Sequence, residues 1–301
     1  MVPGEREAAG VAEPRDPVRD GIVTRSPLVG LAGWRLPGDH FAAVGLAHRT
    51  GAEGIQLDLG GPGRGPWLDA AGTLDRIRDD CARYGVTPLA VAGNTLNDIG
   101  LHAPEGTQEA LRTRRVLVRV LDAALALGAP LAFVPSFRRS AIEDLRDLRR
   151  TAAVLAWAAR EAEARGLLLA NENALDPRRA RTLVEEVAAP SFRLLLDTYN
   201  PRAAGVDVLA LIEAAHEWLA PQVHLKDGTD GTVTRELLGD GDGRVWEALA
   251  ALEARGHLSA ALVLENDYRD GDLDRLALDV ARVRAHTART HTRDAGIHTR
   301  S

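Results

Sequence analysis

The sequence predicts an α/β protein folded as a single parallel β/α barrel, (β/α)8, and three observations carry that expectation. Short runs of the chain are continuously aliphatic rather than alternating, the pattern of strands covered on both faces. Between them lie stretches rich in Ala, Leu, Arg and Glu at helical spacing, for example 144–165. Gly or Pro punctuates the step from helix into strand at Gly85, Gly128, Pro130, Gly166, Pro190 and Pro221. Helix, breaker, strand is the return of a parallel sheet, and eight such units over about 260 residues match a barrel better than a doubly wound sheet.

In chain order, residues 1–26 mix Glu, Arg, Asp, Pro and Gly without an apolar period and are expected to form a flexible arm. Strands are expected near 28–32, 54–59, 86–91, 130–134, 167–172, 192–197, 222–225 and 260–265, inside one catalytic domain spanning 27–284. After the first of them, Gly33-Trp34-Arg35-Leu36-Pro37-Gly38 lacks the spacing of a dinucleotide-binding turn, which argues against the doubly wound alternative. From Ala285 to Ser301 the chain repeats His, Thr and Arg with almost nothing to bury. His286, His291 and His298 look like a metal-binding tract, but the expectation for 285–301 is a disordered tail.

Composition narrows the partners. With 45% hydrophobic residues in 301, the chain can bury a large core, and its net charge of −6 offers no basic face to nucleic acid. The single cysteine, Cys81, excludes an intramolecular disulfide. No apolar run approaches the roughly 18 residues of a membrane span, and the charged N-terminal stretch lacks the apolar core of a signal peptide. The expectation is a cytoplasmic protein acting on a small molecule, without nucleic-acid or membrane partners and with homo-oligomerisation left open.

Four of the expected strands end alike, apolar for four or five residues and then polar: Leu167 to Asn173, Phe192 to Asn200, Gln222 to Asp227, and Ala261 to Asp267. In a barrel the C-terminal strand ends converge on one mouth, so Glu172, Asp197, His224 and Glu265, at strands five to eight, are expected to meet there. Three carboxylates that close repel and raise one another's pKa, so a cation among them is the stable arrangement. One acidic residue at a strand end is ordinarily a helix cap or a solvated charge; a polar ligand at each of four successive strand ends reads as a metal site. One divalent ion is expected on this O₃N set, Mn²⁺ first, with Mg²⁺, Co²⁺, Zn²⁺ and Fe²⁺ also compatible.

On these residues the chain resembles the xylose isomerase-like TIM barrel family of sugar isomerases, epimerases and dehydratases. The resemblance spans 27–283 and rests on the order and spacing of Asn171-Glu172-Asn173, Asp197-Thr198-Tyr199-Asn200, His224-Leu225-Lys226-Asp227, the run Gly239-Asp240-Gly241-Asp242-Gly243, and Leu264-Glu265-Asn266. It implies that Glu172, Asp197, His224 and Glu265 bind one divalent ion that chelates a hydroxy-ketone. It also implies that Glu172 and Glu265 lie on opposite faces of that substrate and exchange protons with carbon. The chemistry is coherent: a polarised carbonyl stabilises the enediolate left when a carboxylate removes the α-proton, and two carboxylates on two faces permit inversion.

One departure bears on the substrate. Ketose 3-epimerases of the family commonly carry a histidine three residues after the strand-six aspartate; here it is Asn200, which hydrogen-bonds but does not titrate, so a sugar or cyclitol ketone other than a simple ketohexose is expected. Lys226, Asp227 and Arg235 are further substrate-binding candidates, the first two alternatively supporting the metal ligands. At least one of Gln56, Asp58, Asn94, Asn97 and Ser136 is expected to touch substrate, with Trp34, Trp67 and Phe137 as candidate walls; His48 and His102 fall outside the set. Beyond Gly239–Gly243 no phosphate-binding glycine motif follows strands seven and eight, which favours an unphosphorylated substrate. A dehydratase of the inosose type shares the first step and is the alternative. An apurinic endonuclease needs additional metal ligands and a basic surface, and an intact ligand set disfavours a non-catalytic sugar-binding protein.

Overall fold

The computed structural model describes residues 26–257 and 259–297, so the expected N-terminal arm lies, but for its last residue, outside the described residues. The aliphatic runs become β1 (Leu28–Ala32), β2 (Gly54–Asp58), β3 (Thr87–Ala92), β4 (Leu131–Pro135), β5 (Leu168–Glu172), β6 (Phe192–Asp197), β7 (Leu219–Leu225) and β8 (Ala261–Leu264). They pair in parallel in sequence order, and β8 closes against β1 as a barrel. Outside run α1 (His40–Thr50), α2 (Thr73–Tyr84), α3 (Gln108–Leu127), α4 (Leu145–Glu163), α5 (Pro177–Val187), α6 (Val208–Ala215), α7 (Val245–Ala254) and α8 (Leu273–Ile297). No described helix is long and apolar enough to cross a membrane.

Local signals set the ends of these elements. Asp39, Thr107, Asp144, Asp176 and Asp207 accept backbone N–H bonds in the first turns of α1, α3, α4, α5 and α6. Helices α1, α2 and α3 stop at Gly51, Gly85 and Gly128, each in the left-handed conformation that glycine adopts without strain. Strand β7 begins earlier than expected, so Pro221 lies inside it rather than before it. The pairing with β6 shifts there, from Leu194 opposite Leu219 to Leu196 opposite Val223, and a residue without an N–H is tolerated at such a bulge.

Both faces of the strands are apolar. Ala90, Ala92, Leu131, Phe133, Ala170, Leu195 and Ala220 pack together inside the barrel, while Val91, Ala132, Val134, Leu169, Leu196 and Val223 belong to the larger core under the helices. The interior is tight: a Cβ on Gly54 would stand 2.6 Å from Leu89 Cδ1.

The expected disordered tail needs correction. Helix α8 continues through Ile297, past the boundary at 284, and only 298–301 lie outside the described residues. Val280, Val283 and Thr287 are buried at helical spacing, and His286 stacks on Trp246 at 5.1 Å between ring centroids. Composition suggested a polar tail, but one face of the helix still finds the barrel.

Candidate active site

The two-residue period of a strand decides which side chains enter the mouth. Glu172 follows Ala170 on the inward face of β5, and Asp197 follows Leu195 on that of β6. On β7 the inward series is Ala220, Gln222, His224 and, one step past the strand, Lys226; on β8 it is Ala261, Val263 and then Glu265. Asp197 and His224 are register partners. A ligand atom from each of Glu172, Asp197, His224 and Glu265 lies within 4.8 Å of the others, and all four residues are buried.

Lys226 and Asn200 bind this group from the cavity side. Lys226 Nζ stands 2.9 Å from both Asp197 Oδ2 and Glu265 Oε2, and donates to Asn200 Oδ1 at 3.2 Å. The amide of Asn200 in turn donates to Glu172 Oε1 at 2.7 Å. Its backbone N–H and that of Tyr199 both go to Asp197 Oδ1, at 2.6 and 2.7 Å, which leaves Oδ2 for the centre. From the short 3-10 turn Gly33–Arg35 after β1, Trp34 Nε1 and Arg35 Nε donate to Glu265 Oε1 at 3.1 and 3.2 Å.

The two glutamates therefore differ. Burial, reinforced by the nearby Glu265 carboxylate, raises the pKa of Glu172. Burial also opposes the charge of Glu265, but Lys226, His224 and Arg35 outweigh it and hold that carboxyl well below the usual range. For His224 burial is likewise outweighed, by Glu265 and Glu172, and the imidazole is pushed up to about 10.

The donor set fits a divalent cation. Asp197 Oδ2, His224 Nδ1 and Glu265 Oε2 are buried without a hydrogen bond of acceptable angle, although His224 Nδ1 lies 2.9 Å from Glu265 Oε2 and Lys226 is close to both carboxylates. Two buried carboxylate oxygens and a ring nitrogen directed at one point, the oxygens sharing the single ammonium of Lys226, are donors of the type such an ion takes. A relay behind the ring fixes its orientation. Gln222 Nε2 donates to Leu89 O, Gln56 Nε2 donates to Gln222 Oε1, and Gln56 Oε1 then faces His224 Nε2 at 2.8 Å. That arrangement places a proton on Nε2 and directs Nδ1 at the carboxylates.

Other expectations separate. Asp227 faces the fold rather than the cavity: its carboxylate accepts N–H bonds from Gly228, Gly239, Gly241 and Gly243. The Gly239–Gly243 run is thereby committed to an internal anion. A Cβ on Gly243 would stand 2.6 Å from Asp227 Oδ1, which is why glycine is needed there. Arg235 is exposed, pairs with Asp270 and does not line the cavity, so it is no substrate-binding candidate. Asp58, Asn94 and Asn97 do line it, as do Trp34 and Phe137, whereas Trp67 packs under Arg119. Ser136 accepts from Asn171, and His48 and His102 bind Tyr84 O and approach Asp147, away from the centre.

The cavity over the glutamates has a volume of about 640 Å³, within the range of small-molecule sites. It also holds residues that sequence reasoning missed: Arg35, Arg64 and Arg138. Gln222, also missed, carried a usable signal, since it shares strand parity with His224 and with Lys226, which the sequence did single out; the arginines stand on loops and carried none.

Comparison with known proteins agrees with this fold. The model of the xylose isomerase-like TIM barrel family matches residues 44–283. The chain is 52% identical over 252 residues to the 2-epi-5-epi-valiolone 7-phosphate 2-epimerase of an Actinoplanes species, covering 84% of this chain and 92% of that relative. An L-ribulose 3-epimerase superposes with a TM-score of 0.70 at 18% identity, covering 90% of this chain and 97% of that one. The IolI protein with a bound zinc atom superposes at 0.69 and 16% identity, covering 86% and 97%. At such identities the two solved structures speak to the fold.

Proposed function

The chain belongs to the xylose isomerase-like TIM barrel family and is an enzyme of its sugar isomerase and epimerase class, and from that premise we propose that it inverts a carbon next to the ketone of a phosphorylated cyclitol. The observation that carries this reading is the pair Glu172 and Glu265 set around one cavity, in a chain 52% identical to a cyclitol-phosphate 2-epimerase. The relative's phosphorylated substrate replaces the expectation of an unphosphorylated one.

Glu172, Asp197, His224 and Glu265 would hold one divalent cation, Mn²⁺ ahead of Mg²⁺, Co²⁺, Zn²⁺ and Fe²⁺ on the donor set. The chemistry such a cation supplies is polarisation of the ketone oxygen, which acidifies the adjacent C–H. One glutamate removes that proton, and the electrons of the C–H bond become the enediolate double bond. The other returns a proton to the opposite face, so configuration inverts with no change of oxidation state. Lys226 and Asn200 hold the carboxylates in place, and the second amide N–H of Asn200 is left for a substrate oxygen.

The test is deuterium exchange in heavy water, read by NMR, with 2-epi-5-epi-valiolone 7-phosphate. Exchange at the carbon beside the ketone, accompanied by the 2-epimer, is expected. Loss of water from the product in place of epimer formation establishes the dehydratase alternative, and no exchange with metal-replete protein refutes the reading. Elemental analysis is expected to find about one divalent ion per chain, lost in the Asp197→Ala, His224→Ala double variant.

A further inference from the structure

The cationic groups around the cavity are not equally committed. Lys226 and Arg35 are bound to Asp197 and Glu265, and Arg269 is held by Asp267 through both Nε and Nη2. Arg64 and Arg138 share one carboxylate: Arg64 Nε lies 2.7 Å from Asp98 Oδ2, and Arg138 Nη2 lies 2.7 Å from Asp98 Oδ1. Among the described residues, their guanidinium groups have no other hydrogen bond or ion pair, so most of the donors of two planar forks stay available.

Both arginines are presented by built loops. Arg64 sits in a glycine-proline turn closed by Gly61 N–H on Gly65 O and Arg64 N–H on Gly61 O, with His40 Nε2 3.1 Å from Pro66 O. Gly63 and Gly65 have positive φ and open space where a side chain would be, so the loop backbone on that side is bare. Arg138 is itself left-handed, with φ of 54°, a conformation a non-glycine residue holds at an energetic cost. Asp98, on the one-turn helix Leu96–Ile99, draws the loops after β2 and β4 together. Asp58 is the other carboxyl near Arg64; it is buried at the end of β2 and accepts the Asn94 N–H.

We propose that Arg64 and Arg138, aligned by Asp98, form the subsite for the phosphate of a phosphorylated cyclitol ketone whose reacting carbon faces Glu172 and Glu265. This rests on the epimerase reading above. Two guanidinium groups brought together on one carboxylate, each with further N–H donors left over, match a phosphate, which a guanidinium binds through paired N–H donors. The glycine run after β7 is excluded from that role because Asp227 occupies its N–H groups.

The experiment compares 2-epi-5-epi-valiolone 7-phosphate with its dephosphorylated ketone in metal-replete wild type, Arg64→Met, Arg138→Met and the double variant, by deuterium exchange. Each single substitution is expected to raise KM for the phosphorylated ketone roughly 10–100-fold, the worth of a charged hydrogen-bonding group, with kcat little changed. The KM for the dephosphorylated ketone should stay within about twofold, and competitive inhibition by inorganic phosphate should vanish in the double variant. Arg64→Lys and Arg138→Lys, which keep charge but lose the fork, should fall between. Equal losses on both ketones would identify a loop latch rather than a phosphate site, and unchanged KM values would equally overturn the proposal. If wild type turns over both ketones equally well, the subsite falls while the epimerase reading stands. If it exchanges neither, the epimerase reading falls and the subsite with it.

Discussion

The two halves of the barrel mouth are built differently. Around β5 to β8 the charged groups stand on strands or one step beyond, buried, with His224, Lys226, Asp197 and Glu265 linked by contacts of 2.9 Å. Around β1 to β4 most cavity groups stand on loops, and the arginines there keep free donors at a more open rim. A strand rung fixes a side chain through its neighbours on both sides, whereas a loop residue is placed by turns that vary without disturbing the barrel. Proton transfer tolerates little displacement, and recognition of a substrate's far end tolerates more. Under the proposed function, chemistry falls to one half and selectivity to the other.

The most demanding test of that division is Glu172→Gln or Glu265→Gln. Either is expected to lower turnover by about 10²–10⁴-fold, the usual size of a general acid–base contribution, while metal content falls far less. Exchange kinetics beside elemental analysis check this. If both variants keep near wild-type exchange, the strand-borne half is not the chemical half.

Asp58 sharpens the comparison, because it is a strand-end carboxyl in the loop-built half. Burial raises its pKa to about 6 from 3.8, so the folded state holds the proton more tightly than the unfolded chain. Stability is therefore undiminished below pH 4 and falls as pH rises between the two values, since the folded state binds more protons there. Asp58→Asn should stabilise the protein at pH 8 by an amount on the order of 3 kcal/mol, and hardly at all at pH 4. Urea unfolding at the two pH values measures it; an equal gain at both would mean the carboxyl is not desolvated.

A smaller effect is expected behind the metal ligands. Gln56→Leu removes the acceptor that orients His224 and should weaken divalent-ion affinity by about 10–100-fold, read by competition with a chelator. Unaltered affinity would mean that the strand rung alone orients the ring. The smallest change belongs to Arg235→Ala: the side chain is 80% exposed and outside the cavity, so KM and stability should stay within measurement error. A raised KM would bring the loop after β7 back into the substrate site.

Much of this was legible because it follows from period and order along the chain. Aliphatic runs separated by breakers defined eight strands, and the polar residue ending each of the last four defined Glu172, Asp197, His224 and Glu265. Lys226 was singled out just past the same strand, and parity with His224 would also have placed Gln222. What misled was composition without period: the His, Thr and Arg of 285–297 read as a tail although the helix continues, and Asp227 read as a substrate contact although four glycine N–H groups enclose it.

By itself the sequence determined the barrel and the strand-borne cluster of Glu172, Asp197, His224 and Glu265, because strand periodicity and the closure of eight parallel units leave one mouth on which those residues converge. Only the tertiary structure decided which loop residues share the cavity. Trp34 and Arg35 bind Glu265 across some 230 residues of chain, and Arg64 meets Arg138 through Asp98 from three separate loops. No local pattern encodes such meetings, because they depend on how far each loop folds back over the barrel once the barrel has closed.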